Sequence, residues 1–473
     1  MLMDFTLLVP EMFVAALACL LLILNLVAPR GERRGLVIFA VLGILAAIAV
    51  VAFNFDMFDG FLGRMYLVDA YASFFKILFL IAALLVCLTT MNYYKPLAGE
   101  GGEAYTIMLF ATLGMMILVS AGELITLYVG LELMTISFYI LTANLAGEDA
   151  RSSEAGLKYL ILGAISSAVM LYGFTLLYGV TGTTMIHEIA QFKEASPAFW
   201  LGVIFALSGF GFKIAAVPFH MWAPDIYEGA PTPVTIFLAV ASKAAGFGVF
   251  VRFFLTAFPQ HADHWIPVIA IMAAATMILG NLAAIPQQNI KRMLAYSSIA
   301  QAGYLLVGLV AASEAGVKSI LFYAMIYVFA TVGAFAVTIA FNNVSESDDI
   351  ADYSGLARRS PLLAVTLLVC MLSMAGIPPL AGFAGKFYLF SAVIEQGFLW
   401  LAIIGLVMSM LSVYYYLSVV RVMYLGEVTD YSAIKLKGSM KLVLYVCMVL
   451  SIILGAYPGP LAELANIAAR FMF

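Results

Sequence analysis

Charge is scarce in this sequence. Lys, Arg, Asp and Glu make up 11% of its 473 residues, where a soluble domain carries about 25%. The net charge is −4 and no basic patch occurs, so nothing here could track a phosphate backbone and nucleic acid is not an expected partner. Cysteine is nearly absent. Cys19, Cys87, Cys370 and Cys447 each lie inside an apolar run, and none forms a CxxC pair. They read as packed small hydrophobes, which argues against an iron–sulfur site or a disulfide framework. Histidine is equally rare. His261 and His264 form an HxxH, but they fall in a short aqueous loop without a Cys or Glu to complete a metal set, and His187 and His220 stand alone. No basic segment precedes the first apolar run, which contains Pro10 and Glu11, so that run reads as a retained helix rather than a cleaved signal. No Arg- and Ser-rich transit segment precedes it either, which favours a bacterial or organelle-encoded chain.

What is present is apolar. Hydrophobic residues make up 64% of the chain and the mean hydropathy is +1.06. That excess requires a low-dielectric solvent around most of the molecule. A helix needs ~20 apolar residues to cross a bilayer. The runs between polar punctuation predict an all-α polytopic membrane protein of fourteen spans, at 7–28, 35–55, 70–91, 104–121, 123–143, 155–180, 198–218, 234–258, 265–285, 294–312, 316–342, 361–396, 399–425 and 439–457. A final amphipathic piece, 461–473, is too short to cross. With the N-terminus outside, the cytoplasmic side collects Arg30, Arg33, Arg34, Lys95, Arg151, Lys158, Lys291, Arg292, Arg358, Arg359, Arg421, Lys435, Lys437 and Lys441. The other side collects only Arg64, Lys193, Arg252, Lys318 and Arg470. This is the asymmetry the positive-inside rule demands, and it puts both termini on the outer side. The longest polar loop, 342–360, has the length of a connecting helix or lid.

Four lysines remain inside apolar runs: Lys76, Lys213, Lys243 and Lys386. A charge at mid-bilayer costs about 2.5–3.5 kcal/mol on insertion scales, so it persists where it pairs, lines water or carries function. Lys76 lies near a helix start and is expected to snorkel to the outer surface. The other three lie deeper. Lys213 follows Ser208-Gly209-Phe210-Gly211-Phe212, Lys243 sits among small residues in Ala241–Gly246, and Lys386 follows Ala381-Gly382-Phe383-Ala384-Gly385. One carboxylate, Glu132, matches them in depth. It is either a protonated, hydrogen-bonded acid or a proton-handling partner of a lysine. Burial raises a glutamate's pKa and lowers a lysine's, and pairing does the reverse to both, so their separation can decide whether a proton is held.

Two spans are broken near a lysine, the seventh by Pro218 and the twelfth by Gly376-Ile377-Pro378-Pro379. Broken membrane helices free backbone groups that only water or polar side chains can satisfy, and transporters place ion sites there. An offset of five spans reverses direction across the membrane. The chain therefore divides into an N-terminal three-helix segment (1–103), a five-helix repeat (104–258), an inverted five-helix repeat (265–425) and a C-terminal helix with a short tail (426–473). Residues 220–233 read as a polar cytoplasmic loop, either a tight connector or a proton relay through His220, whose unperturbed pKa of ~6.5 allows exchange near neutrality.

At this point a family resemblance is legible. Phe212-Lys213 through Pro218-Phe219-His220-Met221-Trp222-Ala223-Pro224-Asp225-Ile226-Tyr227-Glu228-Gly229-Ala230-Pro231-Thr232-Pro233, the stretch Lys291-Arg292-Met293-Leu294-Ala295-Tyr296-Ser297-Ser298-Ile299, and Ser373-Met374-Ala375-Gly376-Ile377-Pro378-Pro379 to Lys386 resemble the hallmarks of the antiporter-like membrane subunits of complex I, the proton-pumping NADH:quinone oxidoreductase. Within that family the chain looks most like the N branch, because Lys386 stands where the M branch typically has a glutamate. The resemblance implies a proton path through Glu132 and Lys213 as an ion pair, Lys243 as the central lysine and Lys386 at the output, with His220 and Lys158 at positions linked to uptake or relay. It implies no cofactor on this chain, with NADH, FMN, iron–sulfur clusters and quinone on other subunits. Its expected partners are an M-type antiporter-like subunit on one side, small K- and J-type subunits on the other, and lipids, in a bacterial inner membrane. A subunit of a multisubunit sodium/proton antiporter shares the broader fold and is the rival within the family. A solute transporter would need one compact site rather than a row of charges, and an inert scaffold would not need buried lysines.

Overall fold

In a computed structural model, the residues described are 5–27, 33–55, 57, 59–61, 63–91, 93, 102–143, 150–193, 196–427 and 432–473, without the side chains of Arg33 and Arg34. Arg30 and Lys95, which contribute to the charge asymmetry, lie outside them. The helices in chain order are α1 (Val9–Val27), α2 (Arg33–Phe53), α3 (Ala70–Thr90), α4 (Gly102–Val119), α5 (Leu124–Thr142), α6 (Ala150–Thr181), α7 (Ile186–Ile189), α8 (Pro197–Lys213), α9 (Trp222–Gly229) and α10 (Thr232–Phe237). They continue with α11 (Lys243–Ala257), α12 (Ala262–Ala284), α13 (Ile290–Val310), α14 (Glu314–Ser345), α15 (Leu356–Arg359), α16 (Pro361–Ala375), α17 (Ala381–Glu395), α18 (Leu399–Leu425), α19 (Gly438–Ala456) and α20 (Gly459–Arg470). A small hairpin pairs β1 (Asp59–Phe61) with β2 (Tyr66–Val68).

Twelve helical stretches among the described residues are long and apolar enough to cross a membrane, with α10 and α11 counting as one. The shorter apolar helices α8 and α16 begin the two broken spans, so fourteen crossings stand. Loops from alternate crossings meet on the same face, as alternation requires. On the face where α1 starts, Tyr66 bridges Ala121, Glu123 bridges Met185, and Arg470 meets Glu314 at 3.3 Å. On the opposite face Asn289 bridges Asp349 and Lys291 pairs with Asp348 at 3.0 Å.

Local sequence sets the helix ends. The narrow turn between α4 and α5 holds because Glu123 caps α5, its carboxylate accepting from the Thr126 N–H at 3.0 Å. Ser196 caps α8 in the same way through Phe199 N–H at 3.2 Å, with Pro197 in the first turn. α16 stops at Gly376, whose φ of +86° is a left-handed conformation that suits glycine. The span expected at 294–312 begins at Ile290, which places Lys291 and Arg292 in its first turn.

The core runs along α14 and the α10–α11 span, which are buried along their lengths, while α6, α18 and α19 turn many apolar side chains outward. A bilayer or neighbouring chains would cover that exposed apolar girdle.

Candidate functional site: a row of buried lysines

Lys213 is the last residue of α8, and Pro218 ends any continuation of that helix. The freed carbonyls are taken locally. Ile214, Ala215 and Ala216 donate to Phe210, Phe212 and Gly211, and Trp222 Nε1 donates to the Phe212 carbonyl at 2.8 Å. Residues 222–229 then form α9, so the stretch expected as one cytoplasmic loop is instead a break followed by a second half-helix. The reason is visible in the sequence: Trp222, Ala223, Ile226 and Tyr227 form an apolar stripe that is buried in the bundle. His220 lies in the break, half-buried, with Nδ1 buried and unpartnered.

The Lys213 ammonium donates to Thr135 Oγ1 on α5 at 2.9 Å. Glu132 lies one turn earlier on the same helix, with Oε1 buried and without a hydrogen-bond partner. Glu132 and Lys213, expected as an ion pair, are not in direct contact; the ammonium meets the threonine hydroxyl one turn along on the same helix face. Gly246, three residues on from Lys243, lies against Lys213 Cβ and Ile214, so the helix that carries Lys243 packs on the end of α8.

Lys243 follows a π-turn at Leu238–Ser242. Such turns occur where a helix is locally re-aimed, frequently at functional sites. Its ammonium donates to the Ser298 carbonyl on α13 at 2.7 Å and to the Ser298 hydroxyl. Lys386, five residues into α17, donates to the Ala375 carbonyl at 3.1 Å and to Ser409 Oγ on α18 at 2.8 Å. It also sits over the Tyr304 ring, 4.4 Å from the centroid. A cavity of about 390 Å³ opens beside it between α17 and α18. All three lysines are no more than 4% exposed, and each is held by neutral oxygens.

A polar line on α13, unremarked in the sequence beyond its family motif, joins the second and third lysines. Ser297, Ser298, Gln301 and Tyr304 recur at helical spacing on one side. Ser297 pairs with Tyr416 of α18, Gln301 with Tyr323 of α14, and Tyr304 accepts from Asn281 at 3.3 Å. A row of polar residues at i, i+4, i+7 on an otherwise apolar helix was the available signal.

Lys158 lies apart from this row. It is 43% exposed on the opposite face and meets Glu154 at 2.7 Å and Asp225 at 2.9 Å. Arg292 binds Asp225 and Glu228, each at 2.9 Å. Since Asp225 belongs to α9, this surface network grips the half-helix that follows the first break.

Lys76 does not snorkel. It is 2% exposed and pairs with Glu11 of α1 at 2.9 Å, and it donates to the Tyr66 hydroxyl at 3.1 Å. Burial, and then the Glu11 carboxylate, push the Tyr66 hydroxyl well above its ordinary range, so it stays neutral and accepts from the ammonium. The hairpin above Lys76 closes its route to the surface. Arg252, assigned to a loop side, is also buried, in a two-pronged pair with Asp69 at 2.8 Å on both arms. Cys19 faces outward, while Cys87, Cys370 and Cys447 are buried as expected of small hydrophobes. His261 packs among Phe199, Trp200 and His264. Among the described residues no group of His, Cys, Asp and Glu is arranged to hold a metal.

Two broken spans and a row of buried lysines define an antiporter-like membrane subunit. Residues 121–412 match the family described as NADH:quinone oxidoreductase/Mrp antiporter, TM, and the chain belongs to it. A relative named NADH-quinone oxidoreductase subunit N, from Heliobacterium modesticaldum (strain ATCC 51547 / Ice1), is 54% identical over 473 residues, covering 100% of both chains. Among solved structures, a chain of respiratory complex I from Thermus thermophilus with bound Aureothin aligns at 33% identity with a TM-score of 0.83, over 97% of this chain and 99% of that one. A chain of the Mrp complex from Dietzia sp. DQ12-45-1b aligns with a TM-score of 0.87 over 99% of this chain and 98% of that one. At 20% identity, that likeness is one of fold alone.

Proposed function

We propose that this chain is the N-type proton-translocating subunit of an NADH:quinone oxidoreductase, a multi-pass protein of a bacterial plasma membrane with both termini on the outer side. The observation that carries the reading is the set of three deeply buried lysines, each bound to neutral oxygens, on elements interrupted by two breaks and a π-turn. The full-length relatives of the same name support the assignment to the oxidoreductase over the sodium/proton antiporter. Electron chemistry, and the cofactors that perform it, belong to other subunits, and M-, K- and J-type membrane subunits are its neighbours.

The mechanism uses this chain's own residues. A conformational or electrostatic signal from the rest of the complex changes the Glu132–Lys213 separation, at a site where Thr135 now accepts from the ammonium. An approaching carboxylate strengthens a lysine's hold on its proton, and a receding one weakens it. The proton passes from Lys213 to Lys243, along the polar line on α13, and to Lys386, with release on the far side. His220 and the Lys158–Asp225–Arg292 network serve uptake. The repeats 104–258 and 265–425 present the two breaks in opposite directions, so that uptake and release face opposite sides. Moving one charge against ~100 mV costs about 2.3 kcal/mol. A swing of two pKa units supplies ~2.7 kcal/mol, so one such switch is of the right size.

Lys213→Ala in the assembled complex should abolish this subunit's share of pumped protons while the protein still inserts. Measuring protons moved per electron in proteoliposomes tests it, and an undiminished ratio would defeat the mechanism.

A further inference from the structure

The end of α16 is held in an unusual way. A helix leaves its last four carbonyls without intrahelical partners. Here two consecutive ones are taken by different helices. The Ala375 carbonyl accepts from Lys386 Nζ at 3.1 Å and from Ser409 Oγ at 2.9 Å. The Met374 carbonyl accepts from Gln301 Nε2 at 3.2 Å. The same amide nitrogen reaches the Tyr416 hydroxyl at 3.4 Å, and the amide oxygen accepts from Tyr323. Gln301 is 1% exposed, so both ends of its amide are used in the interior, as burial of a polar group demands.

We propose that Gln301 is a positioning residue for Lys386: it ties the second helix break to the hydroxyl line leading from Lys243, and so fixes the carbonyl that orients the lysine. This rests on the proton-path reading given above and deepens it. A primary amide neither takes up nor releases a proton near neutral pH, so Gln301 contributes geometry rather than transfer. From α13 its three tethers reach α14, α16 and α18, and α13 also carries the Ser298 partner of Lys243. A shift of α13 at Ser298 therefore moves Met374, and with it the adjacent Ala375 carbonyl. The amide makes the two lysine sites one mechanical unit.

The test compares Gln301→Leu with Gln301→Glu in the assembled oxidoreductase, with Lys386→Ala as reference. Leucine keeps the bulk and loses every tether. A protonated glutamic acid keeps an acceptor for Tyr323 and a donor for the Met374 carbonyl. The expected result is that Gln301→Leu loses protons per electron to the same extent as Lys386→Ala, and that Gln301→Glu recovers at least half of the loss. If the leucine variant does not assemble, Gln301→Met takes its place, since its flexible side chain adapts to the same volume. Full pumping in the apolar variant, with loss in Lys386→Ala, overturns the role of Gln301 alone. Equal loss in the apolar and glutamate variants at normal assembly also overturns it. Full pumping in Lys386→Ala overturns the lysine path and this inference together.

Discussion

Buried cations come in two kinds in this molecule. Near the face where α1 starts, Lys76 and Arg252 each meet a buried carboxylate, Glu11 and Asp69. Deeper in the bundle, Lys213, Lys243 and Lys386 are equally buried but meet a threonine hydroxyl, a serine, and a carbonyl with a serine. A carboxylate at contact distance fixes a charge in place, and removing either partner leaves an uncompensated buried ion. Neutral oxygens hold an ammonium through hydrogen bonds alone; hydroxyl and carbonyl alike also accept from the neutral amine, and the hydroxyls can donate to it. The first arrangement suits fastening one helix to another. The second suits a proton that must leave.

The largest effect should come from breaking a fastened pair. Asp69→Asn leaves Arg252 buried without its counter-charge and also weakens the cap on α3, where Asp69 accepts from Ala72 N–H at 2.7 Å. A cost of about 3–5 kcal/mol is expected, seen as lost assembly or a lower midpoint in thermal unfolding of the solubilised complex. Combining it with Arg252→Met should recover much of that loss, because a methionine of similar volume removes the stranded charge. Failure of the double variant to improve on the single one would mean that the pair is more than a fastening.

A smaller effect is expected at a neutral partner. Ser409→Ala removes one hydrogen bond to Lys386, worth about 1.5–3 kcal/mol when the donor is charged, and leaves the Ala375 carbonyl in place. Assembly should be normal and the rate of coupled pumping reduced. An unchanged rate would show that the serine is incidental. The smallest effect should follow Lys158→Ala. Its partners are solvent-exposed, exposed ion pairs contribute little, and Arg292 still holds Asp225. Stability should not change measurably, and only the uptake rate should respond.

The apolar spans, the two breaks and the burial of the three lysines were all legible in the sequence, because apolar run length and proline position are local properties. Partners were not. Glu11 and Lys76 are 65 residues apart, and only the packing of α1 and α3 against the shared neighbours α2 and α4 brings them together. The sequence places Glu132 at the right depth for Lys213, yet the helical face puts Thr135 against the ammonium. The helix α9 is hard to see in the sequence because Pro224, Asp225 and Glu228 mask an eight-residue stripe too short to stand out. The partners of Gln301 are illegible in the sequence because they come from three other helices that meet on one amide.

The contrast between fastened and transferable charge can be tested by converting one kind into the other. Ser298→Asp would give Lys243 a carboxylate at the place where it now meets a hydroxyl and a carbonyl. Protons moved per electron in proteoliposomes should then fall in a complex that assembles at the normal level. An assembled variant that pumps at the original ratio would show that neutral partners are not what lets these lysines move protons.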